Sequence, residues 1–127
     1  MEEKYAKEAQ KLWAKYKYCV MERSYGQYKN ISKYFATGEV NKNEFDKLIS
    51  EALEIEVSKG QAINTLQHVW GYFKKICDEQ EKSGFFSLLD MYENDKCSLI
   101  VVKNMLYKLS RKYEVRYLLD SFYFNNG

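Results

Sequence analysis

Apolar residues recur every three or four positions along most of this 127-residue chain, which is the spacing of one face of an α-helix. Proline is absent and glycine occurs six times, so few residues interrupt the pattern. The pair Val101 and Val102 also fits a strand, but the spacing around it favours a helix. We predict an all-α fold, a compact single domain of six or seven helices over residues 1–127. The predicted helices run from Glu2 to about Arg23, Gln27 to Phe35, Asn41 to about Glu56, Ser58 to about Cys77, Asp78 to about Asn94, Ser98 to Lys112, and Tyr117 to Phe124.

Polar residues at the predicted helix starts support these boundaries. Asn41, Asp78 and Ser98 each precede an apolar stretch and can cap its free backbone N–H groups. Ser58, with Gln61 three residues later, matches a capping box. The predicted inward faces of the first and third helices carry Leu12, Trp13, Tyr16, Cys19 and Val20, and Phe45, Leu48, Ile49, Ala52, Leu53 and Ile55.

The fourth predicted helix has the broadest apolar face, which is typical of a helix at the centre of a fold. At 100° per residue this face collects Ala62, Ile63, Leu66, Val69, Trp70, Phe73, Ile76 and Cys77. We therefore predict that the helix is central, with buried side chains at Leu66, Val69, Trp70 and Phe73.

The opposite side of the fourth helix is polar and contains the only histidine of the chain. A glycine inside a helix costs roughly 1 kcal/mol relative to alanine, so Gly71 needs a reason, such as the close approach of a neighbour. In one interpretation another helix packs tightly there and bonds to the polar side chains. In the other, the polar side lines a ligand-binding groove. The candidate ligand-binding residues are Asn64, His68, Gly71, Tyr72 and Lys75.

Other features narrow the function classes. No run of 18 apolar residues exists, and the start MEEKYAKEAQ is unlike a signal peptide, so we expect no membrane association and a cytoplasmic location.

Cys19, Cys77 and Cys97 lie far apart, which favours reduced, buried thiols over an iron–sulfur cluster. We expect no metal and no cofactor. We assign no catalytic residue, because paired catalytic carboxylates, a phosphate loop and a nucleophile elbow are missing.

The net charge of +2 is unevenly distributed. Residues 1–36 carry eight basic and four acidic side chains, net +4, and residues 37–60 carry three basic and six acidic, net −3. In the basic segment lysines alternate with Tyr18, Tyr25 and Tyr28. Lysines neutralise phosphates and exposed tyrosines can stack on bases, so this pattern suits a nucleic acid. The candidate nucleic-acid patch consists of Lys15, Lys17, Arg23, Lys29, Lys33 and Lys74.

An ordered set of motifs covers nearly the whole chain. Its members are WAKYKYCVM at 13–21, Tyr28, INTLQHVWGYFKK at 63–75, EKSGFFSLLDMY at 81–92 and YLLDSFYFNN at 117–126. The most specific is the string N-x-L-Q-H-x-x-G-Y-F-K, which begins at Asn64. In this order the motifs resemble the YbgA-like family of bacterial domains of unknown function.

The resemblance implies an all-helical domain. Such domains occur alone, or fused behind an iron–sulfur domain that removes sulfur from thiolated uracil and from thiouridine in RNA, where they resemble accessory modules that handle RNA. The present chain departs from the family at Tyr16, where members usually have histidine. It also departs at SKGQA (58–62), where members usually have a run of basic and polar residues. At FNNG (124–127) it lacks the Pro-Tyr-Pro with which members usually end the last motif. Activities that need the missing residues do not follow from the resemblance.

Three functions remain open at this point. The first is a non-catalytic accessory module that binds RNA, for example a tRNA-like molecule, or another nucleic acid. The second is a protein–protein adaptor for a separately encoded iron–sulfur desulfidase-type or nucleic-acid-processing enzyme. The third, an enzyme that uses His68, is the least supported, because one histidine beside Tyr72 does not define a reaction.

Overall fold

Seven α-helices and no strand make up the part of the chain that the structure describes, which confirms the all-α prediction. The computed structural model describes residues 2–124, with their side chains from Tyr5 onward. Within this range no helix is long and apolar enough to cross a membrane. The helices are α1 (Glu2–Met21), α2 (Tyr25–Ala36), α3 (Lys42–Leu53), α4 (Lys59–Trp70), α5 (Glu79–Glu93), α6 (Leu99–Lys112) and α7 (Arg116–Leu119).

Side-chain caps start three of these helices. Ser24, Asn41 and Asp78 each accept a hydrogen bond from the backbone N–H three residues later. At α5 the carboxylate of Glu81 also accepts from the backbone N–H of Asp78 at 3.0 Å, which completes a capping box. Ser98 occupies the predicted N-cap position of α6 but makes no side-chain cap.

The fourth helix is shorter than predicted. α4 ends at Trp70, and residues 71–76 form successive turns instead of continuing the helix to Cys77. The backbone N–H groups of Tyr72 and Phe73 bond to carbonyls only three residues back, at 3.1 and 2.8 Å. This tighter winding departs from the helical wheel, and Ile76 is 51% exposed, so its predicted inward position is wrong.

Two other side chains predicted to point inward are also exposed. Leu12 is 38% exposed because it lies beside the buried line of α1, which runs through Ala9 and Trp13. Ile55 is 37% exposed because α3 ends at Leu53, so this residue lies in the connection to α4. The seventh helix is likewise shorter than the predicted one, since it is only four residues long.

α4 lies at the centre of the larger of two core clusters, as predicted. Leu66, Val69 and Phe73 are fully buried, and Trp70 is 5% exposed. The Trp70 ring stacks on Phe85 of α5, with ring centroids 4.6 Å apart and planes 3° apart. The buried members of this cluster are Tyr18, Met21, Leu66, Val69, Trp70, Phe73, Phe85, Leu89, Val102, Leu106, Leu109, Leu118 and Tyr123.

A second cluster packs α2 and α3 against α1. α1 contributes to both clusters, with Trp13 and Val20 in this one and Tyr18 and Met21 in the larger one. The packing of α1 therefore sets the position of α2 relative to α4. The buried members of the second cluster are Ala9, Trp13, Val20, Ile31, Phe45, Ile49 and Ala52.

Phe73→Ala tests the central position of α4. We expect the free energy of unfolding, measured by urea denaturation, to fall by about 3–5 kcal/mol, because the substitution leaves a cavity in the larger core. Phe86→Ala is the matched control and should cost less, since Phe86 is 43% exposed. A loss below about 1 kcal/mol for Phe73→Ala would show that this side chain does not fill the core.

Candidate functional site

The start of α2 is tied to the first half of α4. The backbone N–H of Tyr25 donates a hydrogen bond to Gln61 Oε1 at 2.7 Å. Because Gln61 is engaged there, the capping box predicted with Ser58 does not form, and that prediction is wrong. The Tyr25 ring lies beside His68, with ring centroids 6.0 Å apart and planes 31° apart.

A second contact joins the end of α4 to α1 and α7. The hydroxyl of Tyr72 lies 3.0 Å from the hydroxyl of Tyr18, and the two form a hydrogen bond. Burial, followed by this hydrogen bond, raises the pKa of Tyr18. On its other side the Tyr72 ring is stacked with Tyr117 of α7, at 6.1 Å between centroids and 19° between planes. The Tyr72 ring is therefore held from two directions.

These two contacts place four rings at the surface where α1, α2, α4 and α7 meet. His68 is exposed, Tyr72 and Tyr117 are each 39% exposed, and Tyr25 is half-buried. His68 lies in the last turn of α4 and Tyr72 in the turn that directly follows this helix, so the two ring pairs are close together along the chain. We call the set Tyr25, His68, Tyr72 and Tyr117 the aromatic strip.

Two lysines continue from the Tyr25 end of the aromatic strip. Lys29 Nζ lies 5.7 Å from the centroid of the Tyr25 ring, within the range of a cation–π interaction. Lys33 follows four residues later on the same face of α2, and both lysines are exposed. Through Tyr25 the structure brings Lys29 of α2 and His68 of α4, which the sequence suggested separately, to one place on the surface.

The remaining basic candidates differ in their surroundings. Lys15, Lys74 and Lys75 are exposed, the last two in the turns that follow α4. Lys17 and Arg23 are half-buried, and the Arg23 Nε atom is buried without a hydrogen-bond partner among the described residues. Within residues 5–124 no ring contact or ion pair connects Lys17 or Lys74 to the aromatic strip.

Two tyrosines considered for base stacking do not present a free ring. Tyr18 is 7% exposed and belongs to the larger core cluster. Tyr28 is half-buried and stacks on Trp13, with ring centroids 6.1 Å apart. The exposed ring of Tyr117 was not predicted from the sequence, because its partner lies on α4, far away along the chain.

Gly71 ends α4, and the atoms nearest to it are backbone atoms of the same helix. It is the C-cap of α4, and its N–H bonds to the carbonyls of Gln67 and His68. A Cβ at this position would lie 3.0 Å from the His68 carbonyl oxygen, and the other atoms within 4 Å also belong to that backbone. The close approach at Gly71 is therefore to the backbone of its own helix.

The polar side of α4 is an open surface. Asn64 is half-buried, and His68 and Lys75 are exposed. No hydrogen bond joins Asn64 to His68 in the described part of the chain, where the imidazole instead contacts the Tyr25 ring. The geometry suits a flat or extended ligand laid across the rings better than a small molecule enclosed in a pocket.

A buried ion pair joins Glu22, directly after α1, to Lys103 of α6. Lys103 Nζ lies 3.0 Å from Glu22 Oε1 and donates a hydrogen bond to Oε2 at 3.2 Å, with both side chains 5% exposed or less. The same ammonium sits 4.2 Å from the ring centroid of the fully buried Tyr123. Burial raises the pKa of Glu22, while Lys103 and then Arg23 oppose this effect. A pair in this position is costly to desolvate.

The sequence analysis missed this pair, although a signal for it exists. Lys103 is four residues after Leu99 and three before Leu106, so it falls on the inward stripe of α6. A lysine on an apolar stripe is buried with a partner or reaches past the core to water. Its partner, Glu22, is 81 residues away in the sequence, so local spacing does not identify it.

One comparison with known proteins gives a match, to a family of unknown function. Residues 17–126 match the family model described as protein of unknown function, DUF1722. The chain belongs to the DUF1722 family. The matched region contains the whole aromatic strip and both members of the buried ion pair. No curated protein and no solved structure matches the chain.

The cysteines of this DUF1722 chain are free thiols, and Cys19 is buried. Burial, followed by the charge of Glu22, raises the pKa of Cys19 to about 11. In the described range no three His, Cys, Asp or Glu side chains are grouped as a metal site would require. The FNNG end, apart from Phe124, lies outside the described residues.

Lys103→Met tests the ion pair of the DUF1722 domain. We expect the free energy of unfolding to fall by about 3–5 kcal/mol, because the Glu22 carboxylate loses its buried partner. The double variant Glu22→Leu/Lys103→Met removes both charges and should be more stable than Lys103→Met alone, as measured by urea denaturation at pH 7.

Lys47→Met is the matched control for the ion pair. Lys47 pairs with Glu51 at 3.8 Å on the exposed face of α3, and losing such a pair should cost less than about 1 kcal/mol. A double variant less stable than Lys103→Met would contradict the account, because it would mean that the two charges do not depend on each other.

Proposed function

We propose that this domain is a non-catalytic accessory module that binds RNA or another nucleic acid through the aromatic strip and the lysines beside it. The observation that carries the proposal is the contact between Tyr25 and His68. It makes one continuous surface out of the basic face of α2 and the polar side of α4.

The chemistry of this surface suits a polyanion that carries flat rings. Lys29 and Lys33 can neutralise phosphates, and the exposed rings of His68 and Tyr72 offer faces and hydrogen-bonding groups to bases. The acidic excess of residues 37–60 falls on α3 and the connections that flank it. A dipolar charge distribution of this kind orients an approaching anion toward α1 and α2.

We do not propose a reaction for His68. A general base is normally oriented by a third group, and the contact observed for this imidazole is with an aromatic ring. His68 is better suited to stack or to donate one hydrogen bond.

The adaptor function is the second candidate, and a different surface favours it. Ile100 and Val101 are neighbours at the start of α6 and are 54% and 41% exposed. Exposed apolar neighbours can contribute to a contact with another protein. If the resemblance to YbgA-like domains extends to function, a separately encoded desulfidase-type enzyme would be the partner.

Lys29→Glu/Lys33→Glu tests the proposed function. We expect affinity for RNA to fall for all sequences alike, because the lysines contact phosphates. Each phosphate contact contributes about 0.7 to the slope of log affinity against log salt for single strands, so the slope should decrease by about 1.4. Fluorescence anisotropy of labelled bulk tRNA and of short RNA strands, at several salt concentrations, measures both quantities.

The control reverses two other exposed lysines, Lys82 and Lys96, and so makes the same change in net charge. Equal losses from the two double variants would indicate a nonspecific effect of net charge. An unchanged affinity in Lys29→Glu/Lys33→Glu would contradict the proposal and favour the adaptor function.

A further inference from the structure

We propose that the aromatic strip selects single-stranded over double-stranded RNA by stacking unpaired bases on Tyr72 and Tyr117. This inference rests on the proposed function and names its substrate class. It is drawn from the exposure, the mutual orientation and the anchoring of these two rings.

The two rings are held in place before any ligand binds. The Tyr72 hydroxyl bonds to the buried Tyr18, and Tyr117 precedes Leu118, which is fully buried in the larger core. Each of the two residues is nevertheless 39% exposed. An exposed ring that is already ordered loses little conformational freedom on binding, so stacking on it is favourable.

The spacing between the rings decides where a base can bind. A base inserted between two parallel rings needs planes about 6.8 Å apart, twice the ~3.4 Å stacking distance along a nucleic-acid strand. The centroids of Tyr72 and Tyr117 are 6.1 Å apart, and the separation of the planes cannot exceed that of the centroids when the rings are nearly parallel. A base therefore does not fit between the two rings, and the proposal places the stacked bases on their outer faces.

Only unpaired bases can make this contact. Inside a duplex the base faces are covered by their neighbours, so apart from its two end pairs a double strand offers the strip phosphates and groove edges but no free ring face. Single strands expose their bases, and any base can stack on an aromatic side chain. The ring pair thus adds affinity for single strands alone.

Phosphate binding and base binding lie at different ends of the surface. Lys29 and Lys33 lie beside Tyr25, whereas the charges around Tyr117 are mixed, with Arg116 next to it and Asp120 three residues later. The positive end holds the backbone of a strand and the neutral ring pair holds its bases. Substitutions at the two ends should therefore have separable effects.

The test uses a 12-nucleotide RNA without self-complementarity, alone and annealed to its complement, in fluorescence anisotropy titrations with the intact protein. We expect the single strand to bind more tightly than the duplex. Tyr117→Leu and Tyr72→Leu should each weaken single-strand binding by roughly 5- to 150-fold, the range for losing one stacked base, and should leave duplex binding unchanged. Tyr117→Phe keeps the ring, and because the Tyr117 hydroxyl plays no part in the anchoring, this variant should retain affinity for the single strand.

Phe86→Leu is the matched control, because it removes a 43% exposed aromatic side chain from α5, outside the strip. Equal affinity for the two RNA forms overturns this inference, as does a leucine variant that folds and binds the single strand normally. If either result is found while Lys29→Glu/Lys33→Glu still shows the expected loss of RNA affinity, the proposed function stands but strand selection does not. Failure of the unsubstituted protein to bind either RNA form overturns both.

Discussion

The arrangement of this domain depends on α1, which is buried on two sides. Trp13 and Val20 pack it against α2 and α3, and Tyr18 and Met21 pack it into the core around α4. Because one rigid helix serves both clusters, α2 has a defined position relative to α4. That position is what allows α2 and α4 to share a surface. The ion pair of Glu22 with Lys103 lies just after α1 and links it to α6.

The surface and the buried ion pair are connected through this helix. Tyr18 reaches from α1 to the hydroxyl of Tyr72, and four residues later Glu22 reaches the ammonium of Lys103. A buried ion pair adds little net stability, since desolvation of the two charges offsets most of their attraction. The pair does, however, link the end of α1 directly to α6. The proposed binding surface is therefore a consequence of how the core is packed.

The sequence predicted those features that depend on neighbours close in the chain. The periodic apolar face of α4 identified its buried residues, and Asp78 with Glu81 identified the start of α5. Features that depend on distant residues could not be predicted. Gln61 bonds to Tyr25 instead of capping its own helix, and α4 stops at Gly71 because the backbone tightens there. The Tyr25–His68 and Tyr72–Tyr117 ring pairs and the Glu22–Lys103 ion pair likewise join elements far apart in sequence.

The claim that the aromatic strip is a nucleic-acid surface is tested most directly by NMR. Backbone amide shifts of the ¹⁵N-labelled protein would be followed while a 12-nucleotide single-stranded RNA is added. The account predicts that the shifts concentrate at Tyr25, Lys29, His68, Tyr72 and Tyr117, with α3 and α5 unchanged. Shifts confined to α3, α5 or the start of α6, or no shifts at saturating RNA, would contradict it.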